Sequence, residues 1–181
     1  MSRLPAIELA NATGKAKDLL TAVKAKLGIV LNMTKVMANS PAVLEGYLGL
    51  SGALGGGLLD AKTREQLALA TAQENECNYC LSAHSAIGKM VGLTPEQVVE
   101  SRKGQGVDAR TTAALTFAQR VLETRGGISD NDLAAVRQAG FNDGEIAEII
   151  AHVALNILTN YFNKAAQVDI DFPKVSFAEI A

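Results

Sequence analysis

Tryptophan is absent from this chain and aromatic residues make up only 4% of it, so an interior built on large flat rings is excluded. Apolar residues still reach 48%, with Ala, Leu and Gly abundant, which suits helices that approach closely on small side chains. Neither sign of charge dominates: 17 Lys and Arg stand against 19 Asp and Glu, for a net charge of −2. With no basic stripe along the chain, binding to a phosphate backbone is not expected, and nucleic acid is excluded as a partner. Long hydrophobic runs are also missing. The longest uncharged apolar stretch, 46–59, is too short to span a bilayer and is broken by glycines. The first residues lead into a Lys-containing amphipathic segment, not an apolar run closed by a cleavage site. These absences predict a soluble, cytoplasmic protein with no membrane partner.

Period-two alternation is lacking as well, apart from a stretch at 168–172 long enough only for a brief extended tail. The class is therefore all-α, a compact helical domain of about eight helices occupying residues 1–181 as one unit. Apolar residues at helical spacing place segments at 8–27, 29–38, 41–53, 61–73, 77–91, 95–101, 108–124, 129–140 and 143–166. Their starts are marked by Ser40 before Pro41, by Asp60 and Ser129, and by the capping boxes Thr94-Pro-Glu-Gln97 and Asn142-Asp-Gly-Glu145. Residues 101–106, polar and glycine-containing, are the best candidate linker. Gly55-Gly56-Gly57 reads as a turn, because a phosphate-cradling loop needs a preceding strand and a following Lys and Ser/Thr. A shift of 80 residues aligns Glu65 with Glu145 and Cys80 with Asn160, a weak sign that 143–166 echoes the earlier helix pair.

Cysteine is scarce, and its placement is informative. Both cysteines and one of the two histidines lie within Cys77-Asn-Tyr79-Cys80-Leu-Ser-Ala-His84. At about 100° per residue, Cys77, Cys80 and His84 fall within roughly a 60° sector of one helix face, with Tyr79 pointing elsewhere. Asn75-Glu-Cys77 is expected to break the chain, setting Cys77 in the first turn of a new helix, where free amides and the helix dipole favour thiolate. In a reducing compartment, two cysteines so spaced suit metal binding or redox chemistry better than a structural disulfide.

Glu65, eleven intervening residues and then Cys-x-x-Cys-x-x-x-His resembles the core of the alkylhydroperoxidase D and carboxymuconolactone decarboxylase family. The resemblance covers residues 41–93 well and 156–163 loosely. It implies an all-helical homo-oligomer, trimer or hexamer, and a thiol peroxidase that needs no cofactor or metal and cycles between dithiol and disulfide. Its partners would be a small-molecule peroxide and a protein or small-molecule dithiol reductant. Low aromatic content and abundant Ala and Gly also favour association of thin helical layers. In these terms Cys80 attacks the peroxide, with His84 one turn later taking or relaying its proton, and Cys77 resolves the sulfenic acid. Glu65 would orient His84 or pass protons through it. Some relatives carry a histidine where this chain has Tyr79, an auxiliary residue that can donate a hydrogen bond but is a poor base at neutral pH.

Other readings stay open on the residues alone. The Cys-x-x-Cys-x-x-x-His set could bind zinc with Glu65 or His152 as fourth ligand, or the cysteines could be ordinary core residues. A redox adaptor would use the same thiols to pass electrons between protein dithiols. Lactone or decarboxylase chemistry would use Glu65 and His84 with the thiols as spectators, although family members with that activity generally lack the cysteine pair. His152 reads as structural. Asn156, Asn160 and Asn163 recur along one helix and could line an interface or hydrogen-bond buried helix ends.

Overall fold

The computed structural model describes residues 2–180. Among them the chain forms nine α-helices and no strand: α1 (Gly14–Leu27), α2 (Asn32–Met37), α3 (Pro41–Gly55), α4 (Ala61–Glu74), α5 (Asn78–Met90), α6 (Pro95–Arg102), α7 (Ala109–Glu123), α8 (Asp130–Gln138) and α9 (Asp143–Ala166). A 3-10 turn, Phe177–Ile180, follows an extended tail. These nine correspond one for one to the segments placed by apolar spacing.

Helix α4 sits at the middle. Its run Gln66-Leu-Ala-Leu-Ala-Thr-Ala72 is buried on every side, as a helix without a polar face must be. Leu69 and Ala72 join the apolar cluster formed with α1, α2, α3 and α5, while Leu67 and Ala70 join a second cluster with α7, α8 and α9. Leu67 and Leu69 are both fully buried. Truncating either to Ala should cost about 2–5 kcal/mol.

The local start signals behave as their chemistry requires. Thr94 and Gln97 form a reciprocal capping box, as do Asn142 and Glu145, and Asp60 and Ser129 accept from the backbone three residues on. Ser40 occupies the N-cap position of α3 without a side-chain cap bond. The first helix begins later than its periodicity suggests. Residues 8–12 make one turn closed on the Glu8 carbonyl, which extended Thr13 separates from α1, whose first residue, Gly14, lies at φ +52°. Nor are 101–106 a loose linker: Ser101 and Arg102 are buried at the end of α6, with the Arg102 guanidinium donating to Gln73 and to the Ser176 carbonyl. The segment 143–166, set against 61–90 by the 80-residue shift, is one continuous helix of 24 residues.

The tail after α9 returns across α5. Val175 N–H donates to Ser82 Oγ, Phe177 N–H to Asn78 Oδ1, and Gln73 Nε2 to the Phe177 carbonyl, each at 2.9 Å. Asp171 accepts from Tyr79 Oη at 2.7 Å and from Asn32 N–H at 3.0 Å. These bonds hold the tail against the cysteine helix.

Candidate active site

The site begins at the end of α4. Cys77 N–H donates to the Ala72 carbonyl at 2.9 Å and Glu76 N–H to the Gln73 carbonyl at 3.0 Å, the paired bonds of a Schellman turn. Glu76 takes the left-handed position at φ +51°, where glycine is usual. Cys77 therefore ends one helix and caps the next. It is the N-cap of α5, one residue earlier than its expected place in the first turn, and its sulfur accepts the Cys80 N–H at 3.3 Å.

One turn on, Cys80 Sγ lies 2.6 Å from Cys77 Sγ, and both residues are free cysteines at 1–2% exposure. The pair shares a proton unequally. Hydrogen bonding from the Cys80 thiol, then from the Cys80 amide, holds the Cys77 thiol below its ordinary pKa despite burial. Burial, and the loss of its proton bond to Cys77, push Cys80 up. Within the pair Cys80 is the donor and Cys77 the acceptor, so Cys77 is the easier of the two to ionise.

Cys80 nonetheless has groups that stabilise a charge moved onto it. Asn163 Nδ2 donates to Cys80 Sγ at 3.3 Å, and Asn160, whose Nδ2 has no other hydrogen-bond partner, also favours the Cys80 thiolate. Both come from α9. Their spacing was visible in the sequence, but only the packing of α9 on α5 reveals which group they face.

His84 and Glu65, paired in the sequence only by the resemblance, meet in space. Nδ1 of His84 is 2.7 Å from Glu65 Oε2, with side-chain exposures of 23% and 16%. Burial alone would lower the His84 pKa, but the Glu65 charge and hydrogen bond outweigh it and raise the pKa above its ordinary value. No hydrogen bond joins His84 to either sulfur among the described residues. The direct acceptor for the Cys80 proton is Cys77.

Tyr79 turns away from the sulfurs to the tail. Its Oη accepts the Met33 N–H at 3.3 Å and donates to Asp171, and its ring stands edge-on to Phe172. Burial first, and then the bond to Asp171, raise its pKa. It acts as a fixed neutral donor.

Cavities lie on three sides. Cys80 and His84 face a small apolar one of about 70 Å³, walled by Leu31, Met33, Tyr79, Ile87 and Phe172. Cys77 borders a separate hollow of about 190 Å³ with Glu76, Lys164 and Gln167. Behind His84 is a polar cavity of about 270 Å³ that includes Arg64, Glu65 and His152. Tyr47, His84 and Thr159 border both this cavity and the one at Cys80. No group of three or more His, Cys, Asp or Glu placed to hold a metal ion occurs among the described residues, and none of their helices is long and apolar enough to cross a membrane.

A buried vicinal dithiol capping a helix, beside a Glu–His pair in an all-α fold, defines a helical protein of the dithiol-site class. Residues 41–124 match the model of the Carboxymuconolactone decarboxylase family. The solved alkylhydroperoxidase AhpD core, an uncharacterized peroxidase-related protein of Ralstonia eutropha JMP134, is 27% identical, with a TM-score of 0.85 over 94% of this chain and 92% of that one. A second uncharacterized peroxidase-related protein, from Silicibacter sp. TM1040, is 25% identical with a TM-score of 0.82 over 93% and 91% of the two chains. The debrominase Bmp8 in complex with 2,3,4-tribromopyrrole shares the fold at 17% identity and a TM-score of 0.78, covering 93% of this chain and 91% of that one. An uncharacterized protein of Haemophilus influenzae is 48% identical over 46 residues, a stretch spanning 25% of this chain and 41% of that relative's length. The match to the Carboxymuconolactone decarboxylase family thus covers residues 41–124, the dithiol motif among them, and the fold as a whole is similar to the solved alkylhydroperoxidase AhpD-like structures.

Proposed function

We propose that the protein is a thiol-dependent peroxidase reducing organic or hydrogen peroxides through a Cys77/Cys80 dithiol–disulfide cycle. The observation that carries this reading is the 2.6 Å sulfur contact, which borders an apolar cavity shared by Cys80 and His84. Once Cys77 has ionised, the proton on Cys80 passes to it, leaving a Cys80 thiolate held by the Asn163 and Asn160 amides. That thiolate attacks the distal peroxide oxygen. The O–O bond breaks, Cys80 becomes a sulfenic acid, and the departing alkoxide takes a proton from the His84 imidazolium that Glu65 maintains. Cys77 sulfur then attacks Cys80 sulfur, its proton leaves with the hydroxide as water, and a disulfide remains. An external dithiol supplies two electrons and two protons to restore the pair.

The apolar cavity that Cys80 and His84 face gives a small oxidant a seat at the sulfur, which an adaptor passing electrons between protein dithiols does not need. Exposed Ile150, Leu158 and Tyr161 on α9 are the face on which a homo-oligomer would assemble.

The test is stopped-flow oxidation of the reduced protein by an organic hydroperoxide, with thiols counted before and after. Loss of two thiols per chain, abolished by Cys80→Ser, is the expected result. Retained thiols at excess peroxide would sink the reading.

A further inference from the structure

The polar cavity behind His84 has more positive charge than its own groups use. It is bordered by Lys26, Arg64, Glu65, His84, His152 and Asn156. Glu65 is engaged by His84, which makes that pair close to neutral. Arg64 donates through Nη1 to the Leu59 carbonyl, yet neither it nor Lys26 has a carboxylate within ion-pairing distance among the described residues. Two cations therefore face one cavity without a counter-charge.

His152 supplies a second, independent sign of a missing ligand. It is 94% buried, at 6% exposure, and its Nε2 has no hydrogen-bond partner. A buried imidazole nitrogen left unpaired carries a desolvation penalty that a native structure normally offsets with a partner. Burial, and then the Arg64 charge, lower the His152 pKa, so the ring is neutral and can donate from Nε2 in that tautomer. The Asn156 amide nitrogen is engaged with the His152 carbonyl at 2.8 Å, which fixes the side chain.

We propose that this cavity binds the carboxylate of a small organic acid, with the Arg64 guanidinium as principal partner, Lys26 at the rim and His152 Nε2 as a further donor. A planar two-oxygen anion fits the arginine fork, whereas a neutral ligand would leave both cations uncompensated. Tyr47, His84 and Thr159 border both this cavity and the one at Cys80, so the two adjoin and an acid anchored here lies beside the thiol cavity. Resting on the peroxidase reading, this makes the favoured oxidant a carboxylate-bearing hydroperoxide.

The experiment compares cumene hydroperoxide with its para-carboxylate as oxidants of the reduced full-length chain. In parallel, para-isopropylbenzoate, which carries the acid without the peroxide, is titrated while the His152 ring resonances are followed by NMR. The expected result is a rate constant about tenfold higher for the carboxylated peroxide, the scale of one charge-assisted hydrogen bond, together with a saturable shift of His152. Arg64→Met should bring the ratio of the two rate constants close to one, and Arg64→Lys should restore part of it. Equal rates in the unaltered protein and an unmoved His152 overturn the carboxylate site while leaving the peroxidase reading intact. Absence of thiol loss with either peroxide overturns the peroxidase reading itself, and the substrate class with it, even if isopropylbenzoate shifts His152.

Discussion

Asn163 and Cys80 meet across 83 residues of sequence, the Asn163 amide donating to Cys80 sulfur at 3.3 Å. A neutral thiol gains little from such a donor, whereas a thiolate gains the larger energy of a charge-assisted bond. Asn163→Leu should therefore slow thiol oxidation about tenfold, from a loss of about 1.5 kcal/mol in the transition state. Single-turnover oxidation at several pH values measures this, and an unchanged rate would remove Asn163 from the mechanism.

The two cysteines should fail differently. Cys80→Ser leaves Cys77 without a neighbouring thiol and facing another hollow, so peroxide-dependent thiol loss should stop. Cys77→Ser should still lose one thiol and accumulate a sulfenic acid that a carbon nucleophile traps, detectable by mass spectrometry. Trapping on Cys77 in Cys80→Ser would reverse the assignment.

The His84–Glu65 pair makes a signed pH prediction. Because the folded pKa of His84 is raised above 6.5, the pair's contribution to stability is fully present below pH 6.5 and is lost as pH rises through the folded value. The peroxidase rate should fall over the same upper limb, as the imidazolium that protonates the leaving alkoxide disappears. In Glu65→Gln burial is opposed only by the Cys77 charge, so the folded pKa of His84 drops and the loss of stability on raising the pH becomes smaller. Urea denaturation from pH 5 to 9 reads the slope directly.

Glu76 holds a left-handed conformation at φ +51° with only a 3.7 Å ion pair to Lys164 on its side chain. Glu76→Gly should stabilise the fold by up to about 1 kcal/mol, because the steric cost of that conformation vanishes. A lower urea midpoint would show that the ion pair outweighs the backbone.

Tyr79→Phe keeps the edge-on packing against Phe172 but takes one of two donors from Asp171 and leaves the Met33 amide without a partner. A loss of about 1–3 kcal/mol is expected, with faster amide exchange in residues 169–177. Uniform exchange across the chain would show that Tyr79 does not hold the tail.

What could be read from the sequence follows from the range of the interactions. Both capping boxes are local, involving residues three apart, and were legible as spelled. The common face of Cys77, Cys80 and His84 is a property of one helix, and it brings the two sulfurs together. The break at residues 75–77 was visible, but placing Cys77 at the N-cap needed a Schellman turn with Glu76 where glycine normally signals it. Asn160 and Asn163 were visible as a spaced pair without a target, because their target lies on another helix. The apolar wall of Leu31, Met33 and Phe172 comes from segments on either side of the motif, and no periodicity announces it. His152 read as structural because its neighbours in sequence are apolar, whereas its neighbours in space are Arg64 and the Glu65–His84 pair.

The tail that crosses α5 couples the end of the chain to the helix that carries both cysteines. In the proposed cycle, any shift of the first turns of α5 as Cys77 and Cys80 change state is passed to residues 171–177 through the Tyr79, Asn78 and Ser82 bonds. Amide exchange at Val175 and Phe177 should then differ between the reduced and oxidised protein.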